Sequence, residues 1–301
     1  MAKISKRVLN KHNEAVTLLE KDNLMSYERD FVYENYHEGA GKMNNLISAH
    51  FTPRSIAHSM THNIRQENWV DIGAGIGMLS MMILRQNELS FNTKGFLGIC
   101  VENCTEYYEI GKKLLPECVW INGSIFDQEV IDEIKLIMDG DEFSIISNPP
   151  YGKQVKGSHR DMHYTGAIFE YKAMEMGAIL GAYDGCFLIP QQSAPFRLTG
   201  NQETYNEKYK TKDYKKFVEQ TGLEISANAG FSTEICLEDD PGWKDVSPTV
   251  EIAIVEYAEL EYKPKTIAER IHEKAKTAPI PILGGWKEPK IENDTNQLNL
   301  F

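Results

Sequence analysis

A chain of 301 residues, 42% hydrophobic and 25% charged, has the balance of a globular protein and the length for one large domain with extensions. No apolar run reaches a membrane span, and Met1 to Lys11 is charged with no apolar stretch behind it, so neither a membrane protein nor a signal peptide is expected and the location expected is cytoplasmic. Five scattered cysteines without a Cys-x-x-Cys pair suggest no disulfide framework and no metal site, and a net charge of −12 speaks against nucleic acid as a partner if charge is read globally.

Residues 1–48 read as a helical extension, with Tyr27, Phe31, Tyr33 and Tyr36 at partly helical spacing. Strands and helices then alternate. Trp69 to Ile72 predicts a strand, Gly77 to Gln86 a helix, Gly95 to Val101 a strand and Tyr107 to Leu115 a helix. Val119 to Ile121 is a third strand, followed by a helix near Val130 to Met138 and a fourth strand over Phe143 to Ser147. A helix over Ile168 to Gly181 leads to a fifth strand, Gly185 to Ile189. Leu223 to Ala229 and Thr249 to Tyr257 lack an intervening helix and read as an antiparallel closing hairpin. The fold class expected is α/β, a doubly wound, mostly parallel seven-stranded sheet over 49–262. A helix over 266–277 and a polar tail complete residues 263–301.

The segment Val70-Asp71-Ile72-Gly73-Ala74-Gly75-Ile76-Gly77 joins a strand to a helix, where glycines let backbone approach a ligand and unpaired N–H groups face it. Spacing alone leaves a dinucleotide fingerprint open. Glu102 ends the second strand, where a carboxylate can accept both hydroxyls of a ribose or serve as a helix N-terminal acid. Thr52-Pro53 can open a helix. Ser147-Asn148-Pro149-Pro150-Tyr151 follows the fourth strand as a stiff turn, because each proline fixes its own φ and restricts its predecessor. It presents one amide, freed carbonyls and an aromatic face, a set suited to gripping a planar amine by its N–H groups while stacking on its ring.

Asn148-Pro149-Pro150-Tyr151 resembles the catalytic motif of S-adenosylmethionine-dependent amino-methyltransferases, in particular the N6-adenine DNA methyltransferases. The order Phe51-Thr52-Pro53, glycine loop, Asn-Pro-Pro-Tyr is that of the gamma arrangement of this family. The resemblance covers about residues 49–260 and implies a Rossmann-like methyltransferase fold with S-adenosyl-L-methionine as cofactor. It implies cofactor contacts from Phe51, Thr52, Pro53, Asp71, Gly73, Gly75, Glu102, Ser124 and Ile125, and catalysis at Asn148, Pro149, Pro150 and Tyr151. Ser124 stands where many relatives carry an Asp that binds the cofactor's adenine, and Asp127 lies three positions on.

DNA adenine is the leading substrate implied, with RNA adenine and protein glutamine as alternatives. A cofactor-binding scaffold, or a restriction-modification type of modification subunit needing a specificity partner, is the reading of another class. Lys153, Lys156 and Arg160 after the motif, and Phe196 in the loop after the fifth strand, are the candidate nucleic-acid contacts. A second basic segment runs from Glu207 to Lys216, with five lysines against two acids. The closing residues Gln297-Leu298-Asn299-Leu300-Phe301 resemble the peptide by which bacterial replication and repair proteins dock on the sliding clamp, with Gln297, Leu298, Leu300 and Phe301 as its anchors. That tail suggests a bacterial cell or one infected by a bacterial virus.

Overall fold

The computed structural model describes residues 4–40, 50–89, 95–200, 205–227, 233, 240, 242–244, 247–258 and 262–263. The helix expected over 266–277, the Gln297–Phe301 tail and Cys236 lie outside them. Seven strands form one sheet: β1 (Asn68–Ile72), β2 (Gly98–Glu102), β3 (Val119–Asn122), β4 (Phe143–Ser147), β5 (Asp184–Pro190), β6 (Ser226–Ala227) and β7 (Val250–Glu256). Their order is β3-β2-β1-β4-β5-β7-β6. β1 to β5 pair in parallel, while β7 runs antiparallel to both β5 and β6. The expected doubly wound sheet with an antiparallel closure is therefore the one found.

β2, β4 and β5 are buried along their whole length, which is why they read as unbroken apolar runs rather than alternating ones. Alternation within a strand still divides the core in two. Val70 and Ile72 of β1 point into one half with Ile99, Val101 and Ile145; Trp69 points into the other with Cys100, Ile146 and Leu188. The first half is covered by α6 (Gln128–Met138), α7 (Phe169–Leu180) and α8 (Lys212–Thr221). The second is covered by α1 (Lys6–Leu19), α2 (Ser26–Asn35), α3 (Arg54–Thr61), α4 (Met78–Leu89) and α5 (Thr105–Leu114).

The N-terminal helices belong to the same compact unit as the sheet, which runs from Met1 to Pro264. Ala15, Val32, Tyr33 and Tyr36 are buried in the core beside α4 and α5. Polar bonds fix their register: Tyr36 Oη donates to Glu106 Oε1 at 2.8 Å, and Lys113 Nζ donates to the Leu19 carbonyl at 2.6 Å.

Two differences from the sequence reading concern elements. Helix α8 was not expected, because lysines at 212, 215 and 216 make its segment look like a solvated loop. Tyr214 and Phe217 nevertheless bury one face, Thr211 Oγ1 accepts the Tyr214 N–H at 3.1 Å as its cap, and Gly222 ends it. The strand expected over Leu223 to Ala229 is confined, among the described residues, to Ser226–Ala227.

Trp69 sets a further local constraint. Its indole is wholly buried, donates from Nε1 to Ser80 Oγ at 2.9 Å, and lies across Gly98, its partner in the β1–β2 register. A Cβ on Gly98 would stand 2.3 Å from the indole ring. Gly98→Ala therefore lowers stability by about 1–3 kcal/mol, despite the entropy an alanine removes from the unfolded chain. A urea midpoint equal to or above that of the wild type would contradict this packing.

Candidate active site

β1 and β4 are neighbours, but the chain reaches β4 only after building β2 and β3 on the far side of β1. The loops leaving their carboxyl ends part at this reversal and leave a cleft, the place where open α/β sheets bind ligands. The cleft is open to solvent and spans about 1160 Å³ with the solvent at its mouth included. It brings together Phe51 and Thr52, the Gly73–Gly75 loop, Glu102, Ser124 and Ile125, and the whole Asn148–Tyr151 turn.

In one half of the cleft the glycine loop adopts left-handed backbone, with φ +71° at Gly73 and +58° at Gly75. The Phe51 ring packs directly on Gly75, where a Cβ would stand 3.1 Å from it. Glu102 braces the same loop. Its Oε2 accepts the Gly75 N–H at 2.8 Å and its Oε1 accepts the Cys104 N–H at 2.6 Å. Burial raises its pKa, opposed by these backbone donors. Each carboxylate oxygen retains a further acceptor site, so Glu102 can hold a diol while keeping its two backbone bonds. Ser124 Oγ accepts the Phe126 N–H at 3.2 Å, and Asp127 stands at the N-cap of α6 without a side-chain bond to the helix.

Two residues expected here are not in the cleft. Pro53 is the N-cap of α3, one position outside the lining. Asp71 shares with Trp69 the strand parity that aims it away from the ligand side, toward α4. It is wholly buried, and its Oδ2 accepts the Ser80 hydroxyl at 2.9 Å. Oδ1 has no hydrogen-bond partner among the described residues, and burial pushes the carboxyl up to about 7 against the bond from Ser80.

In the other half, one amide is held from two sides. Asn148 Nδ2 donates to the His50 carbonyl at 2.8 Å and to Thr52 Oγ1 at 2.9 Å, so both its hydrogens are engaged. That leaves Oδ1 as the free end, where it accepts the Tyr151 hydroxyl at 2.7 Å. The amide orientation follows from this pattern, since a flipped amide would set its acceptor oxygen against the His50 carbonyl, which can only accept. Thr52 thus acts on Asn148, a contact that the sequence reading did not foresee. Behind it, Ser147 Oγ donates to the Ile72 carbonyl at 2.6 Å and ties the two motif loops together.

The segment after Tyr151 hangs on two buried carboxylates of α7. Glu170 Oε2 accepts the Gly152 N–H at 2.8 Å, and its Oε1 accepts the Ser193 hydroxyl at 2.6 Å. Glu175 accepts the Tyr164 N–H and the Tyr262 hydroxyl. The Lys172 ammonium donates to the Gly157 carbonyl at 2.6 Å, and burial lowers its pKa.

This anchoring redistributes the expected basic contacts. Lys156 lines the cleft. Lys153 pairs with Asp213 at 3.3 Å on the surface, and Arg160 donates to Gln128 Oε1 at 2.9 Å. Phe196 is wholly buried against Tyr205 and offers no face to a ligand, correcting the expectation that it stacks there. The strand-five loop turns it inward with Ala194 into the core. The sequence reading missed Tyr107 and Phe169, which both line the cleft. Tyr107 sits in the first turn of the helix after Glu102, and its buried hydroxyl has no hydrogen-bond partner among the described residues. A helix that starts at the carboxyl end of a strand faces the ligand side, and that rule could have found it.

Two expectations follow. Asp71 titrates at 3.8 in its ordinary state and about 7 when folded, so its stability contribution is complete below the lower value and is lost as pH rises through the upper one. Asp71→Asn therefore flattens the fall in melting temperature between about pH 4 and 7; parallel melting curves for variant and wild type would refute the assignment. Glu170→Ala strands the Gly152 N–H and the Ser193 hydroxyl and costs about 1–3 kcal/mol. It opens the 152–168 loop to limited proteolysis, whereas Glu170→Gln, which keeps an acceptor, restores resistance.

No family model matches the chain, and no curated protein matches it. Solved structures do. A Listeria monocytogenes protein described as a class I S-adenosylmethionine-dependent methyltransferase aligns over 82% of this chain and 72% of its own, with 15% identity and a TM-score of 0.46. The methyltransferase subunit of a type I restriction-modification system from Streptococcus thermophilus aligns over 82% of this chain and 58% of its own, with 14% identity and a TM-score of 0.46. The type I restriction enzyme EcoKI M protein aligns over 88% and 56%, with 11% identity and a TM-score of 0.42. The chain thus spans little more than half the length of these two restriction-modification subunits. Likeness at such identities and TM-scores transfers no residue's role.

Proposed function

We propose that this protein is an S-adenosylmethionine-dependent methyltransferase acting on the exocyclic N6 amine of adenine in DNA. The observation that carries the reading is the Asn148 amide: both of its hydrogens are tied to His50 and Thr52, and its oxygen is turned toward Tyr151 in a cleft shared with the glycine loop.

The residues of the cleft fit the cofactor. Glu102 has acceptor sites left for ribose hydroxyls, Ile125 and Phe51 offer apolar faces, and the Tyr107 hydroxyl is a buried polar group without a hydrogen-bond partner among the described residues. When bound, S-adenosylmethionine supplies an electrophilic methyl group on a sulfonium.

The chain's own task is to make a poor nucleophile react. The lone pair of an aromatic amine is delocalised into its ring. Asn148 Oδ1 and the Pro149 carbonyl each accept one N–H, which favours pyramidal nitrogen and stabilises the positive charge that develops there. These acceptors are fixed before the substrate arrives, so little reorganisation is needed during the reaction. Tyr151 stacks on the target ring and offsets part of the cost of turning the base out of a duplex. Its phenol stays protonated, because burial raises its pKa. Lys156 brings a positive charge to the cleft for a phosphate nearby.

The test is transfer of labelled methyl groups to unmethylated DNA, with RNA and a protein extract as competing acceptors. Label on DNA recovered as N6-methyladenine is the expected result. Asn148→Ala lowers kcat about 100-fold or more, with cofactor affinity kept within about twofold. Label on RNA or protein would overturn the substrate, and full activity in the variant would overturn the mechanism.

A further inference from the structure

The two basic segments of the sequence meet in space. Lys153 pairs with Asp213 at the start of α8, and Gln220 exchanges hydrogen bonds with Thr165, donating to Oγ1 at 3.0 Å and accepting the N–H at 2.8 Å. Helix α8 therefore flanks the loop that carries Lys156 into the cleft. Between 205 and 216 the chain holds five lysines against Glu207 and Asp213, and both acids are engaged, with Lys210 and Lys153 respectively. Lys212 and Lys215 are exposed.

Tyr205 precedes these lysines in the chain and is 55% exposed. Three contacts hold it. Its backbone bridges to Phe196, its ring meets the buried Phe196 ring edge-on at 5.6 Å, and its hydroxyl accepts the Ala227 N–H at 2.7 Å. Tyr209, by contrast, is occupied by cations, with the Arg197 guanidinium 4.4 Å and the Lys208 ammonium 4.9 Å from its ring centre. A large aromatic ring kept half in water, yet fixed at its edge and its hydroxyl, is a stacking platform whose ordering cost is already met by the fold.

We propose that Tyr205, with Lys212 and Lys215, forms a docking surface for unpaired nucleotides flanking the target adenine, Tyr205 stacking on a base and the lysines meeting phosphates. The surface rests on the DNA reading above, since turning out a base leaves its neighbours partly unstacked and gives such a platform a partner. The stacking role expected of Phe196 thus passes to the residue that Phe196 supports.

The test uses full-length protein and a fluorescent single-stranded adenine-containing oligonucleotide, with binding followed by anisotropy across a salt series and methylation kinetics in parallel. Tyr205→Ala weakens binding about tenfold and raises KM for DNA similarly, while kcat and cofactor affinity stay at wild-type values. Tyr205→Phe, which keeps the ring, binds as the wild type does. Changing Lys212 and Lys215 together to Gln makes the slope of log affinity against log salt shallower by about 0.7 per lysine. Should Tyr205→Ala lose its thermal transition, Tyr205→Leu replaces it. If the wild type methylates DNA but the Tyr205 and lysine variants match it in affinity and slope, this surface is wrong and the function stands. If the wild type neither binds nor methylates DNA, both fail.

Discussion

The geometry of the cleft depends on one amide held from behind. Asn148 lies at the end of β4 and its anchors, His50 and Thr52, precede α3, nearly a hundred residues earlier in the chain. A carboxamide has a donor end and an acceptor end of almost equal shape, so nothing in the side chain alone chooses which faces a ligand. Two acceptors on the Nδ2 side make that choice, at a net worth of about 1 kcal/mol for each bond. The sheet supplies the rest, because β1 and β4 are adjacent and Ser147 bonds back to Ile72, which keeps the loops leaving both strands in fixed register.

A second level of support comes from carboxylates that never reach the cleft. Glu170 and Glu175 are buried in a largely apolar helix, a position tolerated only when such groups find donors. They find them in the backbone of the 152–168 loop and in the hydroxyls of Ser193 and Tyr262. Glu102 works similarly for the glycine loop. Three acids thus order three stretches of backbone, and much of the protein's negative charge near the site is spent on its own N–H groups rather than turned toward a polyanion.

Much of this was legible in the sequence, for identifiable reasons. β4 was read at its true ends because an apolar run meets two prolines, and the helices of the βα units were placed by their periodicity. The motif loops fell at the carboxyl edge because alternation of strands and helices dictates it. What escaped reading depends on contacts made across the fold. Asp71 sits beside the glycines in sequence, yet strand parity turns it to Ser80. Phe196 follows a proline in a loop, which leaves a stacking face and a core role both open in the sequence, and its loop folds it inward. Helix α8 carried its signals openly, Thr211 at one end and Gly222 at the other, but the lysines between them outweighed its three-residue apolar spacing.

The bond from Tyr151 to Asn148 Oδ1 has a consequence for entry into the cleft. The amide oxygen is not bare before a ligand comes; a phenol fills one of its two acceptor sites. An incomer takes the second site beside the phenol, and it gains most by offering both a hydrogen-bond donor to the oxygen and a flat surface to the ring. Water can do the first and not the second, and an aliphatic amine likewise. A planar heterocycle bearing an amine can do both. Tyr151 thus shares the oxygen with any incomer, and the pair favours a ligand that combines the two properties over one that has either alone.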